Sequence, residues 1–542
     1  MTIGEKIAHL RISSHISQET LAEKLNVPRQ SLSEWELGEA MPQLDKIALL
    51  CTVFGVSSDE LLLNDLSLSQ RDEVKINKAD SEIKNKYFGT DGFRGEANVD
   101  LTSYQAYRVG RFIGWYYNKI GKANKKARIL IGKDTRRSSY MLEYSIIAGI
   151  TASGADAYML HVTTTPSVSY ITRCDEFDCG VMITASHNPF YDNGIKILNR
   201  YGEKLDDNTA SLIEAYIDGE MSRAGVDGED IPFATREKVG SIVDYTAGRN
   251  RYIGYLISIA SHSYKSLRIG LDCANGSSWS IAKAVFDALG AQLYLTGCSP
   301  DGLNINNGVG STHIEHLSDL VIKNHLDIGF AFDGDADRCI AVDEKGKVID
   351  GDMIMYILAR RLKERDALDH NKIVATVMSN KGLTNALSDE GIEYELTSVG
   401  DRFVFDCMQR NGYVLGGEQS GHIIIKKYAT TGDGILTALM VTEEMCDKKT
   451  HLSALVKNIT LYPQLTESVY VQNKDDVIND TDVKACVDKI EKALGKNGRI
   501  LLRKSGTEPV IRIMSECKNE SECKKYIDEI KEVIRKKGYL CE

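Results

Sequence analysis

Past Tyr87 short apolar runs alternate with amphipathic stretches, and few architectures can absorb that rhythm. Residues 128–131 form an apolar strand ahead of a helical pattern over 141–153, and 179–183 is a second strand. Residues 267–271 precede a helix over 278–289, with a strand at 326–330 after it. Residues 372–377 precede a helix over 382–390. Strands that alternate with helices in this way predict α/β layers. From about Leu461 the pattern changes. A strand at 468–471, a helix at 482–494, strands at 499–503 and 510–514 and a helix at 522–536 predict a small α+β domain. No internal sequence repeat is visible.

A chain of 542 residues exceeds a single core, so several domains are expected. At the front, Leu21, Leu25, Leu32, Trp35, Ile47, Leu50, Phe54 and Leu61 recur at helical spacing, which predicts a compact helical unit over 1–65. Residues 66–86 are polar and highly charged and read as a linker or an exposed helix. No apolar run reaches the roughly 18–20 residues a membrane helix needs. The first residues also lack a basic lead with an apolar core, so no membrane partner and a cytoplasmic location are expected. Twelve cysteines without a single C-x-x-C read as reduced, mostly buried thiols. The net charge of −11 argues against wholesale nucleic-acid binding, while leaving room for local clusters of cations.

Four loops carry chemistry. Thr184-Ala185-Ser186-His187-Asn188-Pro189 comes after a strand and places Ser186 on a tight, exposed turn where its hydroxyl can be presented; simple turn capping by Ser186 and Asn188 is the alternative. Asp333-Gly334-Asp335-Ala336-Asp337-Arg338 sets Asp333, Asp335 and Asp337 at alternate positions of an extended loop, a hard oxygen site for a divalent cation. An EF-hand would need Gly where Arg338 stands. Gly416-Gly417-Glu418-Gln419-Ser420-Gly421-His422 offers Glu, Ser and His groups suited to sugar hydroxyls, although Gly-Gly also marks an ordinary hairpin. Arg503-Lys504-Ser505-Gly506-Thr507-Glu508-Pro509, with Arg512 beyond, combines arginines, hydroxyls and free amides into a phosphate cradle; it is not a P-loop. Together the loops supply the parts of a sugar-phosphate phosphoryl transferase.

These four loops, in this order, resemble the signature loops of the α-D-phosphohexomutase superfamily over about 455 residues. Further support comes from 87–95 (Tyr-Phe-Gly-Thr-Asp-Gly-Phe-Arg-Gly), Asn304-Ile305-Asn306, Gly310-Ser311-Thr312-His313, Gln419 and the run 430–437. Within the superfamily the resemblance is to the phosphoglucosamine mutase branch. Phe93, where Ile is commoner, and Ala336, where Gly is usual, are the departures.

The resemblance implies three similar α/β domains (87–245, 246–345 and 346–457) and a smaller α+β domain (458–542). It implies interconversion of glucosamine 6-phosphate and glucosamine 1-phosphate through phosphorylated Ser186 and a bisphosphate, in supply of UDP-N-acetylglucosamine synthesis. Glucose or mannose specificity, or a sugar-phosphate-sensing regulator, are the alternative readings. One Mg²⁺ per active site on Asp333, Asp335 and Asp337, with Ser186 as a further ligand, is implied. So is priming of Ser186 by glucose or glucosamine 1,6-bisphosphate or by a kinase. Arg94 and Arg338 would add positive charge near the phosphoserine. Glu418, Ser420 and His422 would hold sugar hydroxyls, and Arg503, Ser505, Gly506, Thr507 and Arg512 the non-reacting phosphate. Lys196 and His422 are the candidates for proton transfer. A homodimer is compatible with the sequence.

The front of the chain is an addition to that pattern. Residues 16–38 resemble the phage-repressor type of helix-turn-helix, with Ser17 capping a first helix and Pro28 opening a second. The resemblance implies DNA as a partner, with Arg29, Gln30, Ser31, Ser33 and Gln18 near it. Residues 1–65 carry five basic and ten acidic side chains, a net of −5, which predicts weak binding; a protein-interaction module is the alternative.

Overall fold

The computed structural model describes residues 6–8, 10, 11, 18–25, 27–36, 40, 42, 44–54, 85–89, 91–121, 125–495, 498–504 and 510–540. It divides into two compact units, Met1–Lys84 and Asn85–Glu542. In the first, helices Gln18–Leu25, Arg29–Glu36 and Leu44–Phe54 bury Ile7, Leu21, Leu25, Leu32, Trp35, Ile47 and Leu50 in a core of their own. Ser17, Leu61 and the stretch 66–84 lie outside the described residues.

The second unit begins two residues before Tyr87, because its first amides are already committed. Those of Lys86, Tyr87 and Phe88 donate to the Glu214 carboxylate at 2.9, 2.7 and 2.7 Å. Lys86, expected in the linker, therefore belongs to the enzyme-like unit.

Four sheets succeed one another along the chain. The first holds β1 (Phe88–Gly89), β2 (Gly92–Glu96), β3 (Arg128–Lys133), β4 (Asp156–Val162), β5 (Cys179–Ile183), β6 (Asp192–Asn199) and β7 (Ile242–Asp244), in the order β1-β2-β6-β5-β3-β4-β7. The second holds β8 (Arg268–Asp272), β9 (Gln292–Thr296), β10 (Ile328–Phe332), β11 (Cys339–Asp343) and β12 (Val348–Ile349), ordered β12-β11-β10-β8-β9. The third runs β14-β13-β15-β16, built from β13 (Lys372–Thr376), β14 (Glu393–Thr397), β15 (Leu415–Gly417) and β16 (Ile423–Ile425). The fourth is the antiparallel set β17-β19-β18, from β17 (Gln464–Tyr470), β18 (Arg499–Lys504) and β19 (Val510–Glu516). Helices join these strands, so the unit is α/β throughout with a smaller α+β end.

Three of the sheets share one strand order. The sets β4-β3-β5-β6, β9-β8-β10-β11 and β14-β13-β15-β16 each have three parallel strands and a fourth that returns antiparallel. The serine, aspartate and sugar loops each join the third strand to the fourth. The central strands β5, β10 and β15 are buried along their whole length, as apolar strands covered on both faces must be.

The strand expected at 326–330 lies two residues later. The Leu326 amide closes the helix Glu315–Asn324 by donating to Val321, and pairing with β8 begins only at Asp327, whose amide donates to the Arg268 carbonyl at 2.9 Å while its carboxylate accepts from the Arg268 amide at 2.8 Å. The ten described cysteines are free thiols, seven of them buried, while Cys174 is exposed. Among the described residues no helix is long and apolar enough to cross a membrane.

Candidate active site

The serine and aspartate loops meet face to face. Ser186 adopts a left-handed conformation (φ 52°), which turns its hydroxyl toward the second sheet, where it donates to Asp333 Oδ2 at 2.5 Å. The residue is not on an exposed turn as expected; it is 1% exposed. Its cover comes from distant parts of the chain. Asn306 Nδ2 donates to the Ser186 and Asn188 carbonyls at 2.9 and 3.0 Å, and Arg136, itself paired with Asp134, donates to the same two carbonyls.

The aspartate loop is a turn rather than an extended segment. Ala336 is left-handed (φ 56°) and its amide donates back to the Asp333 carbonyl at 3.1 Å. A Cβ makes that conformation costly, which explains why glycine is usual there. The turn brings Asp333, Asp335 and Asp337 together, with ligand oxygens within 4.8 Å of one another, all buried. Asp335 Oδ1 and Asp337 Oδ1 accept no hydrogen bond. A buried carboxylate oxygen without a partner is costly, and an all-oxygen donor set of this size fits a hard divalent cation. Burial, reinforced by the neighbouring Asp337 and Asp335 charges, pushes the Asp333 carboxyl well up. Burial would also raise Asp337, but Lys196, His422 and Arg338 outweigh it and hold that carboxyl well down.

Lys196, on β6, donates to Asp335 at 2.6 Å and Asp337 at 3.0 Å. Burial opposes its charge, yet Asp335, Asp337 and Asp91 raise its pKa above the usual lysine range. Thr165, at the start of the helix Thr165–Cys174, gives Asp335 both its amide, to the carbonyl, and its hydroxyl, to the carboxylate. Arg94 contacts Asn188 Oδ1 at 3.3 Å and pairs with Asp91 at 3.2 Å. The Arg338 amide donates to Asp333 at 3.1 Å, and its guanidinium lies 4.0 Å from Asp337. His187, next to the serine, is held down at about 4 by burial and by the Arg338 and Arg94 charges.

The sugar loop arrives from the third sheet. His422 is buried; its Nε2 accepts from the Gly432 amide at 3.0 Å, leaving the ring proton on Nδ1, 3.7 Å from Asp337. Burial disfavours the imidazolium, while Asp337, Asp401 and Glu418 raise the pKa beyond that; the Gly432 amide resists the change, since it needs a lone pair on Nε2. Glu418 accepts from the Gly400 amide at 3.0 Å with one oxygen, and the Ser420 hydroxyl is buried without a hydrogen bond. The Gln419 amide nitrogen donates to Asp350, which caps the helix Gly351–Glu364, and so anchors the loop.

Two partners were not foreseen. Lys204 pairs with Asp91 at 3.3 Å and Asp401 at 2.6 Å, tying the first sheet's domain to the third's. Lys204 and Asp401 edge a cavity of about 220 Å³ that also reaches His422, Arg402 and Thr431. Ordinary charged residues far apart in sequence gave no signal of this.

In the fourth sheet Arg503 and Arg512 lie directly opposite each other on β18 and β19. Burial and the Arg512 charge lower the Arg503 pKa. Like charges opposed across a ladder are unfavourable unless an anion offsets them. Ser505, Gly506 and Thr507 lie outside the described residues. In the first unit Arg29 and Gln30 are exposed and Ser31 and Ser33 half-buried on one helix. Gln18 is instead engaged within the fold. It donates to Glu36 at 2.8 Å, beside the Arg11–Glu36 ion pair at 2.6 Å.

Comparison with known proteins agrees with this layout. Models of the phosphoglucomutase/phosphomannomutase α/β/α domains I, II and III match residues 85–224, 250–346 and 350–462, and that of the C-terminal domain matches 468–533. A helix-turn-helix model matches 7–61. A phosphoglucosamine mutase of Lachnospira eligens is 60% identical over 454 residues, covering 84% of this chain and 99% of the relative. One of Lachnoclostridium phytofermentans is 55% identical over 455 residues, covering 84% and 99%. Among solved structures, a phosphoglucomutase/phosphomannomutase family protein of Burkholderia thailandensis has a TM-score of 0.69 at 22% identity, over 83% of this chain and 97% of its own. The N-acetylphosphoglucosamine mutase of Aspergillus fumigatus, in complex with GlcNAc-6P and magnesium, has a TM-score of 0.57 at 16% identity, over 83% and 95%. These two likenesses bear on the fold, and the two close relatives on the family. With four family domains in order and 60% identity across nearly the whole of a relative, the chain belongs to the phosphoglucosamine mutases, within the phosphoglucomutase/phosphomannomutase family.

Proposed function

We propose that the chain interconverts glucosamine 6-phosphate and glucosamine 1-phosphate, feeding UDP-N-acetylglucosamine synthesis, with Ser186 as the phosphoryl carrier. The observation that carries this is the Ser186 hydroxyl set 2.5 Å from Asp333, beside two buried carboxylate oxygens that accept no hydrogen bond. Phosphorylated Ser186 gives its phosphoryl group to the sugar's 1-hydroxyl: the Oγ–P bond breaks, the O1–P bond forms, and the hydroxyl proton passes to a base. The resulting 1,6-bisphosphate turns within the cleft, and its 6-phosphoryl group returns to Ser186, leaving glucosamine 1-phosphate. Mg²⁺ held by Asp333, Asp335 and Asp337 would draw charge from the transferring oxygens, the main aid such a step needs.

The protein's own groups do the positioning. Arg94 and Arg338 add positive charge beside Ser186. Glu418 and Ser420 receive sugar hydroxyls, and Arg503 and Arg512, with Ser505, Gly506 and Thr507, take the idle phosphate. Lys196 and His422 remain the candidates for proton transfer; Lys196, held protonated, suits donation to the Ser186 oxygen better than acceptance. A hexose 1,6-bisphosphate or a kinase would prime Ser186. The deciding experiment is a parallel assay on the 6-phosphates of glucosamine, glucose and mannose. The greatest kcat/KM is expected for glucosamine; a greater value for either other sugar would overturn the specificity, and no turnover of any would overturn the reading.

For the first unit we propose weak, salt-sensitive DNA binding through the helix Arg29–Glu36, whose exposed Arg29 and Gln30 support it. Selection from random duplexes at low salt is expected to enrich one sequence. Arg29→Ala combined with Gln30→Ala should lose that binding and leave catalysis unchanged. No enrichment would leave the unit as a protein-interaction module.

A further inference from the structure

The segment Asn304-Ile305-Asn306 holds no sugar, cation or phosphate in the mechanism above, yet it reaches both reacting loops. It lies between β9 and the helix Glu315–Asn324, in the connection that crosses the second sheet. Asn304 closes its own turn. Its side chain accepts from the Asp301 amide and donates to the Ser299 carbonyl, both at 3.0 Å, and its amide donates to the Asp301 carboxylate at 2.9 Å. Ile305 is buried against the aspartate loop, close enough that a Cβ on Gly334 would stand 2.9 Å from its Cδ1. Asn306 is buried and left-handed (φ 58°), a conformation asparagine tolerates better than most residues, and its amide donates to the Ala274 carbonyl at 2.8 Å.

With its backbone fixed in this way, the Asn306 side chain meets the serine loop as one of two forks. Its Nδ2 spans the Ser186 and Asn188 carbonyls at 2.9 and 3.0 Å, and Arg136 Nη2 spans the same two at 3.2 and 2.6 Å. Arg136 is fixed in turn by Asp134, which also accepts from the Ser139 and Thr184 hydroxyls at 2.8 and 2.7 Å. Each carbonyl thus receives one N–H from the first sheet's domain and one from the second's.

The forks answer a specific demand. A residue with a Cβ keeps a φ of 52°, as Ser186 does, only where its surroundings over-determine it. That conformation aims Oγ at Asp333, so whatever holds the Ser186 carbonyl also holds the direction of the hydroxyl. Cohesion of the two domains does not depend on Asn306. The Thr135 hydroxyl donates to the Asn275 carbonyl at 2.6 Å, and the Arg137 amide to the Gly302 carbonyl at 3.0 Å, across the same boundary and without touching Ser186. What Asn306 adds to those bonds is the aim of Ser186.

We propose that Asn306 is a positioning residue for the phosphoryl step: its side-chain amide, reaching from the second sheet's domain, fixes the Ser186 carbonyl and thereby orients the hydroxyl that carries the phosphoryl group. It acts through Ser186 and touches no group of the substrate. Donation is what the position requires. In Asn306→Asp the shape is kept, but an acceptor then faces two carbonyls, and its carboxylate competes with them for the Arg136 guanidinium. Both changes release the Ser186 carbonyl. In Asn306→Ala one fork is lost while the Arg136 fork stays, so the loss is smaller. The kinetic consequence rests on the mutase reading; the orientation of Ser186 does not.

The test compares the full chain with Asn306→Asp, Asn306→Ala and Thr135→Val, on glucosamine 6-phosphate with glucose 1,6-bisphosphate as primer. In Asn306→Asp kcat is expected to fall on the order of 100-fold, the effect of an ångström of misplacement, with KM little changed because the sugar and phosphate loops are untouched. Asn306→Ala should lie between it and wild type. Thr135→Val should lower the thermal midpoint and keep a near-normal kcat. A crystal structure of Asn306→Asp is expected to show Ser186 at negative φ with its bond to Asp333 broken. Wild-type kcat in Asn306→Asp would overturn the proposal, as would Ser186 unmoved in that structure, or equal losses of kcat in Asn306→Ala and Thr135→Val. If Asn306→Asp does not fold, the kcat and KM of Asn306→Ala against Thr135→Val decide alone. A wild-type chain that turns over no sugar phosphate would overturn the mutase reading instead, and the crystal structure would still judge this one.

Discussion

Gly334 lies so close beneath Ser186 that a Cβ on it would stand 2.5 Å from the Ser186 carbonyl oxygen, and 2.9 Å from Ile305. The constraint is one of space, and it makes the two loops a single fitted piece. In Gly334→Ala one loop must retreat, so the Ser186–Asp333 hydrogen bond lengthens. A fall in kcat/KM on the order of 100-fold is expected with a near-normal circular dichroism spectrum. Unchanged kinetics would show that the two loops can separate without loss.

Ser186→Ala is expected to abolish turnover while the fold stands, since the hydroxyl bonds only to Asp333 and, at 3.3 Å, to His187 among the described residues. Intact mass and peptide analysis of active wild-type protein should find phosphate on Ser186. Near-normal turnover by the variant would end the phosphoserine mechanism.

In Asp335→Asn the aspartate cluster loses one charge, and Lys196 and Thr165 exchange a carboxylate oxygen for an amide, with Lys196 keeping Asp337. The rate should fall by orders of magnitude and half-saturation by Mg²⁺ should move to higher concentration. An identical Mg²⁺ titration would remove these aspartates from the cation site.

Glu443 links two domains away from the chemistry. It accepts from the Ser261 amide at 3.0 Å, His262 Nδ1 at 3.1 Å and the Tyr264 hydroxyl at 2.9 Å. Burial would raise its carboxyl, but Ser261, His262 and Tyr264 together hold it at about 2. A depressed carboxyl contributes stability above its unfolded pKa of about 4.5 and loses it as pH falls toward 2. Glu443→Gln should therefore lower the urea midpoint at pH 7 and pH 6 by the same amount, with the gap narrowing below about pH 4.5. A gap that widens on acidification would reverse the assignment.

A chain beginning at Asn85 should retain full mutase activity, because the second unit has its own cores and starts there. One beginning at Gly89 should be markedly less stable, since Glu214 then loses the Lys86, Tyr87 and Phe88 amides and is left buried without them. Thermal unfolding of the two truncated chains, with activity alongside, separates these outcomes.

The chemistry was legible in the sequence because each loop is local: Asp333, Asp335 and Asp337 announce an oxygen site within five residues. The α/β class was legible for the same reason, since apolar strands and helical periodicity are local patterns. The seating of Ser186 was not. Its cover is Asn306 and Gly334, brought from more than a hundred residues away by packing that no local pattern encodes. The same holds for Lys204 and Asp401, ordinary surface types until two domains meet. Gln419, singled out by resemblance, has a role the sequence did not show: its amide nitrogen donates to Asp350, 69 residues away, and anchors the loop.

The shared strand order has a consequence for how such an enzyme can change. Nucleophile, cation cradle and hydroxyl reader each hang from the same corner of a separate sheet, on the hairpins β5–β6, β10–β11 and β15–β16. A mutation that reshapes the β15–β16 tip leaves the β5–β6 register untouched but bears on β10–β11, because the Cys339 amide donates to the Gly421 carbonyl at 3.0 Å and Arg338 bridges His422. Selection on which hexose is accepted therefore acts with least effect on the phosphoryl step at Glu418 and Ser420, and with most at Gly421 and His422, which touch the aspartate loop.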